Sequence, residues 1–92
     1  MLTIHKYPLD FTSGQDHVQL PLGGQPIHYA MQHGVLMVWC EVDDTLSRHH
    51  SLLEVHFIGT GHSRGHLPEN FHHAATVMPS EGLVLHIYAR LS

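Results

Sequence analysis

Seven short runs rich in Val, Ile, Leu and aromatic residues, each stopped by glycine, proline or a polar cluster, take up most of this chain. That punctuation belongs to strands and turns. No stretch shows the long, capped apolar spacing of an amphipathic helix, and at most one short helical turn fits within 43–51. The runs are 3–7, 16–20, 26–32, 35–42, 52–58, 71–78 and 83–91. The expected fold class is therefore all-β, with about seven antiparallel strands in a small sandwich or barrel. Ninety-two residues suffice for one such domain, spanning 1–92, and not for two.

Local signals pair some of these strands. Only His33 and Gly34 separate the third and fourth runs, and glycine supplies the positive φ of a tight hairpin. Pro79-Ser80-Glu81-Gly82 reads as a turn between the sixth and seventh. Pro8, Pro21 and Pro68 are expected outside the ladders, because proline has no N–H to give to a sheet.

Alternation then separates the faces. In the last run Leu83, Leu85, Ile87, Ala89 and Leu91 form a core side, while Val84, His86, Tyr88 and Arg90 share the other. In the fourth, Leu36, Val38, Cys40 and Val42 alternate with Val35, Met37, Trp39 and Glu41. Both sides are largely apolar. Since large apolar residues usually lie inside, core packing on both faces is expected, the alternative being that Met37 and Trp39 meet a partner.

Charge narrows the function classes. Four Lys and Arg against eight Asp and Glu give a net charge of −4, with no basic stripe for a phosphate backbone, so direct nucleic-acid binding is not expected. Cys40 is the sole cysteine, which rules out an intrachain disulfide and suits a reducing compartment. The amino-terminal segment lacks the pattern of a secretory signal, and no apolar run approaches the roughly 18 residues of a membrane-spanning helix. The expectation is a cytoplasmic protein without membrane contact.

Twelve histidines are the chemical peculiarity of the chain, since histidine ligates metals, moves protons and changes charge near neutral pH. The densest polar cluster is Gly59-Thr60-Gly61-His62-Ser63-Arg64-Gly65-His66. Its small residues let backbone N–H groups converge on an anion, and Gly59, Gly61, His62, Arg64 and His66 are the candidate ligand-binding residues. The lysine and following Ser or Thr of a P-loop are missing, and a plain connecting loop is the competing interpretation. Glu54 and His56 share a strand face, and His86 projects from a strand that could pair nearby, so these three are the weak candidates for a metal site. Solvated or hydrogen-bonded surface histidines are the simpler expectation. No cofactor is expected.

Catalytic patterns are missing. Ser13, Ser47, Ser51, Ser63, Ser80 and Cys40 stand in no activated context, and Glu41, Asp43 and Asp44 read as a solvated strand end rather than as a paired acid and base. A non-enzymatic protein is expected.

Read together, Lys6-Tyr7-Pro8-Leu9, Leu20-Pro21, Gly23-Gly24 with Ile27, Trp39, Val42-Asp43, Gly59-Thr60-Gly61-His62 and Leu83-Val84-Leu85-His86-Ile87-Tyr88 resemble a family of small proteins encoded by bacteriophages and prophages. The resemblance spans nearly the whole chain, although Leu22 and Gln25 extend the loop around Gly23-Gly24. It carries no catalytic or binding residue with it. It implies a bacterial host cell and, by analogy with other small phage proteins, a binding protein that blocks a host protein complex, such as an inhibitor of a CRISPR defence system. The patch such a protein needs would come from Met37, Trp39, Glu41, Asp43 and Asp44. A small-ligand or nucleotide binder using the Gly59 to His66 loop is the alternative, followed by a histidine-rich metal-binding protein. An exposed strand edge or the second face of 35–42 could also form a homodimer.

Overall fold

Strands that alternate apolar and polar residues must find a second sheet on which to bury one face. In the computed structural model, which describes residues 1–45, 49–65 and 67–92, seven strands do this: β1 (Leu2–Leu9), β2 (Gln15–Pro21), β3 (Gln25–Gln32), β4 (Val35–Asp43), β5 (His50–Gly59), β6 (His72–Ser80) and β7 (Leu83–Leu91). They form a three-stranded sheet in the order β1-β4-β3 and a four-stranded sheet in the order β2-β5-β7-β6. All five pairings are antiparallel. The fold is all-β, with no helix among the described residues, and its two layers make it a sandwich.

The inner faces supply one core. Leu36, Val38, Cys40 and Val42 of β4 meet Leu53, Val55 and Phe57 of β5 and Leu85 and Ile87 of β7, with Leu9, Leu20, Tyr29 and Val77 closing the periphery. Each fully buried aliphatic side chain here contributes roughly 1.5–3 kcal/mol. The central strands β4, β5 and β7 therefore hold the layers together.

Proline placement explains the edges. Pro8, Pro21, Pro26 and Pro79 lie in β1, β2, β3 and β6, the four edge strands, while β4, β5 and β7 contain none. An edge strand has one side free of partners, where a missing N–H does no harm. This corrects the expectation that Pro8 and Pro21 stand outside the ladders, since they sit opposite Met37 and His50. Pro68 does lie outside.

Turns follow their residues. His33 and Gly34 both take positive φ, 51° and 79°, the pattern of a type I′ hairpin. Glu81 and Gly82 alone turn β6 into β7, because β6 continues through Pro79 and Ser80 across an irregular register. The helical turn considered within 43–51 meets strand at both ends, at Asp43 and at His50, and its middle lies outside the described residues. No helix among the described residues is long and apolar enough to cross a membrane.

Candidate functional site

Each sheet has an outer face, and the two faces differ. On the three-stranded sheet, register places Leu2, Ile4, Lys6 and Pro8 of β1 beside Asp43, Glu41, Trp39 and Met37 of β4. His28 and Ala30 of β3 flank Trp39 and Met37 from the other side. Leu2, Ile4 and Val35 are exposed, as is Ile27 beside the β3 bulge. Met37 and Trp39 are half-buried. The expectation that both faces of the fourth run pack inside is thus overturned. β4 is central within its sheet, yet only its even-numbered residues reach the core.

This outer face has an ordered centre and an acidic end. The Trp39 indole lies 5.8 Å from the His28 ring, and the Lys6 ammonium reaches across β4 to donate to Gln32 at 2.7 Å. At the end of the strand, Asp43 accepts from the Met1 ammonium at 2.8 Å and from the Thr45 hydroxyl at 2.7 Å. The ammonium, and then Thr45, hold the Asp43 carboxyl well below the usual carboxylate range. Asp44 shares the same ammonium at 3.2 Å. Of the three acids proposed for the patch, only Glu41 has no cationic partner among the described residues.

The middle of the four-stranded sheet, over β5 and β7, is partly roofed by its own chain. Phe71, read from the sequence as the first residue of a strand, precedes β6 and is buried against the outer face, apart from the main core. The His56 ring meets its edge at 4.8 Å, and the Arg90 guanidinium stacks on it at 4.5 Å. Arg90 also donates to Glu54 at 2.9 Å. Nearer the start of the same loop, Arg64 stacks on Tyr88 at 4.8 Å. A cavity of about 150 Å³ remains between Gly59, Gly61, His62 and Arg64 on one side and His86 and Tyr88 on the other. Four of the five loop candidates therefore line one space. The fifth, His66, lies outside the described residues.

His86 forms the centre of a polar chain. Its Nε2 is 2.9 Å from the Thr60 hydroxyl and its Nδ1 is 2.9 Å from the Thr76 hydroxyl, which in turn is 3.1 Å from His73 Nε2. Both ring nitrogens are thereby occupied. Glu54, His56 and His86 do share an outer face, but they engage Arg90, Phe71 and the two threonines respectively. Among the described residues no three His, Cys, Asp or Glu side chains converge as metal ligands do. Thr60, Thr76 and Tyr88 were not singled out from the sequence as site residues. The alternation of β7 placed Tyr88 beside His86, whereas the threonines needed the fold to bring them in.

Four of the nucleophile candidates are engaged or buried, while Ser80 is exposed at the end of β6. Ser51 accepts from the Gly23 amide, Ser63 from the Gly65 amide, and Ser13 donates to the Gln15 carbonyl. Ser47 lies outside the described residues. Burial in the core pushes the Cys40 thiol up to about 11, so its nucleophilic thiolate is disfavoured.

Comparison with known proteins adds a family. The model of a domain of unknown function, DUF7352, matches residues 1–92, while no curated protein and no solved structure matches the chain. With its whole length covered by that model, the chain belongs to the DUF7352 family.

Proposed function

We propose that this chain is a non-enzymatic, phage-encoded binding protein whose working surface is the outer face of the β1-β4-β3 sheet, and whose target is a protein complex of a bacterial host's defence machinery. The observation that carries the reading is the contrast between the faces. On the four-stranded sheet Phe71 covers the middle of the outer face, over His56 and Arg90, while Gln19, Thr76 and Met78 on the edge strands stay exposed. On the three-stranded sheet Leu2, Ile4 and Val35 stay open to solvent around the half-buried central Trp39. Aromatic and methionine anchors inside a polar rim are the composition of protein-binding hot spots. Lys6, His28, Gln32 and Glu41 supply the rim.

Several features define the partner. The edge strands carry prolines, which disfavours extension of either sheet by another strand and points to contact through a face. Glu41 favours a partner with a basic group near its apolar centre. The sequence resemblance to phage proteins directs the search to host defence, with a CRISPR effector complex as the first target.

The test is a plaque assay. The protein is expressed in a strain whose CRISPR system restricts a phage, and plating efficiency is compared with that on an empty vector. Restored plating supports the reading. Unchanged plating with soluble protein present removes the CRISPR complex as the target.

A further inference from the structure

The cavity beneath the Gly59 to Arg64 loop lies on the sheet opposite the proposed binding face, and nothing in that reading uses it. We infer that it is a binding site for a tetrahedral oxyanion, namely phosphate, either free or as the terminal group of a phosphate monoester.

Charge is the first argument. The chain is acidic overall, with four Lys and Arg against eight Asp and Glu, yet none of the described residues lining this cavity is acidic. His62, Arg64 and His86 surround it instead. Arg64 forms no ion pair among the described residues. Arg90, two residues beyond Tyr88 on β7, is by contrast committed to Glu54. Arg64 thus keeps its planar fork of N–H donors available for an oxygen-rich anion.

Positioning is the second. Stacking on Tyr88 holds the guanidinium over the cavity. The two threonine hydroxyls fix the His86 ring, making it a positioning residue that holds Thr60 in place. Gly59 admits the His62 ring closely, since a Cβ there would meet His62 Nδ1 at 3.0 Å. Gly61, at φ +86°, makes the turn that returns the chain over the sheet. A side chain at Gly59 would displace the imidazole.

Size selects the ligand. The cavity of about 150 Å³ falls below the roughly 300–1,000 Å³ of sites that enclose drug-sized molecules. It holds a phosphate group, not a whole nucleotide. Tyr88 is already engaged by the Arg64 guanidinium and, 5.4 Å away, by the His73 ring, so the face toward the cavity is not open to a base. Any remainder of a phosphate ester therefore projects past the exposed loop.

The experiment is a titration of the intact ¹⁵N-labelled protein with inorganic phosphate, and separately with a nucleoside 5′-monophosphate, at constant ionic strength, followed by amide spectra. Saturable shifts are expected at 58–64, 86 and 88. Affinity should fall about tenfold or more in Arg64→Gln, because a charge-assisted hydrogen bond contributes about 1.5–3 kcal/mol. Arg64→Lys, which keeps the charge and loses the fork, should bind between the two. Tighter binding of the ester identifies a nucleotide or sugar phosphate as the source; equal binding identifies the free anion. Failure of both probes to saturate these amides overturns the site, as does saturation that Arg64→Gln leaves unchanged.

Discussion

Replacing Trp39 by alanine should cost little stability, whereas the same change at Leu36 on the same strand should cost a great deal. Leu36 is 1% exposed and faces the core, where truncation of a leucine removes about 3 kcal/mol. Trp39 is on the opposite face and half-buried, with the His28 ring 5.8 Å away as its main aromatic contact. Losing one such contact removes about 1 kcal/mol. With a guanidinium slope of about 2 kcal/mol per molar for a domain of this size, the unfolding midpoint should fall by about 1.5 M for Leu36→Ala and by about 0.5 M for Trp39→Ala. The slopes themselves should not change. Equal losses in the two variants, near the 3–5 kcal/mol range of a core tryptophan, would show that the indole is an interior residue and that the face is not free for a partner.

Two further outcomes follow from the packing. Burial raises the Cys40 thiol from 9.0 to about 11, so the folded state holds this proton more tightly than the unfolded state; the stabilisation is complete below pH 9 and lost as pH rises through 11. Two units correspond to at most about 3 kcal/mol. Tyr29, raised by burial from 10.0 to about 12, loses stability above pH 10 in any variant. In guanidinium titrations Cys40→Ala should therefore lose the decline that begins at pH 9 and keep only the part above pH 10, whereas an identical alkaline slope in that variant would contradict the assignment. Phe71→Ala should lower the thermal midpoint by roughly 12 °C or more, from about 3 kcal/mol at 4–8 °C per kcal/mol; a shift of about 2 °C would mean that the loop does not depend on this ring.

The strands were readable because alternation and turn residues act locally. His33-Gly34 specifies its hairpin through two positive φ values, which need nothing from the rest of the fold. Face assignment is different, since it depends on what lies above a sheet. Val35, Met37 and Trp39 have the composition of a second core face and remain outside, while Phe71 looks like the start of a strand and becomes a buried roof. Neither outcome follows from hydrophobicity alone. The prolines carried a usable signal, because a proline in or directly after four of the runs marks the edge strands. Reading Pro8 and Pro21 as strand stops concealed it. Pairing of β1 with β4 and of β2 with β5 joins segments more than 25 residues apart, and no local pattern encodes that order. The loop candidates at Gly59, Gly61, His62 and Arg64 were visible as a polar cluster, but their partners Tyr88, His86 and Thr76 were joined to them only by folding.

The most direct test compares Trp39→Ala with Gln19→Ala, an exposed substitution on β2 of the opposite sheet, in the plaque assay, with both proteins confirmed as folded and equally expressed. The account predicts that Trp39→Ala loses the restored plating and Gln19→Ala retains it. Full activity in Trp39→Ala would contradict the assignment of the β1-β4-β3 face as the working surface.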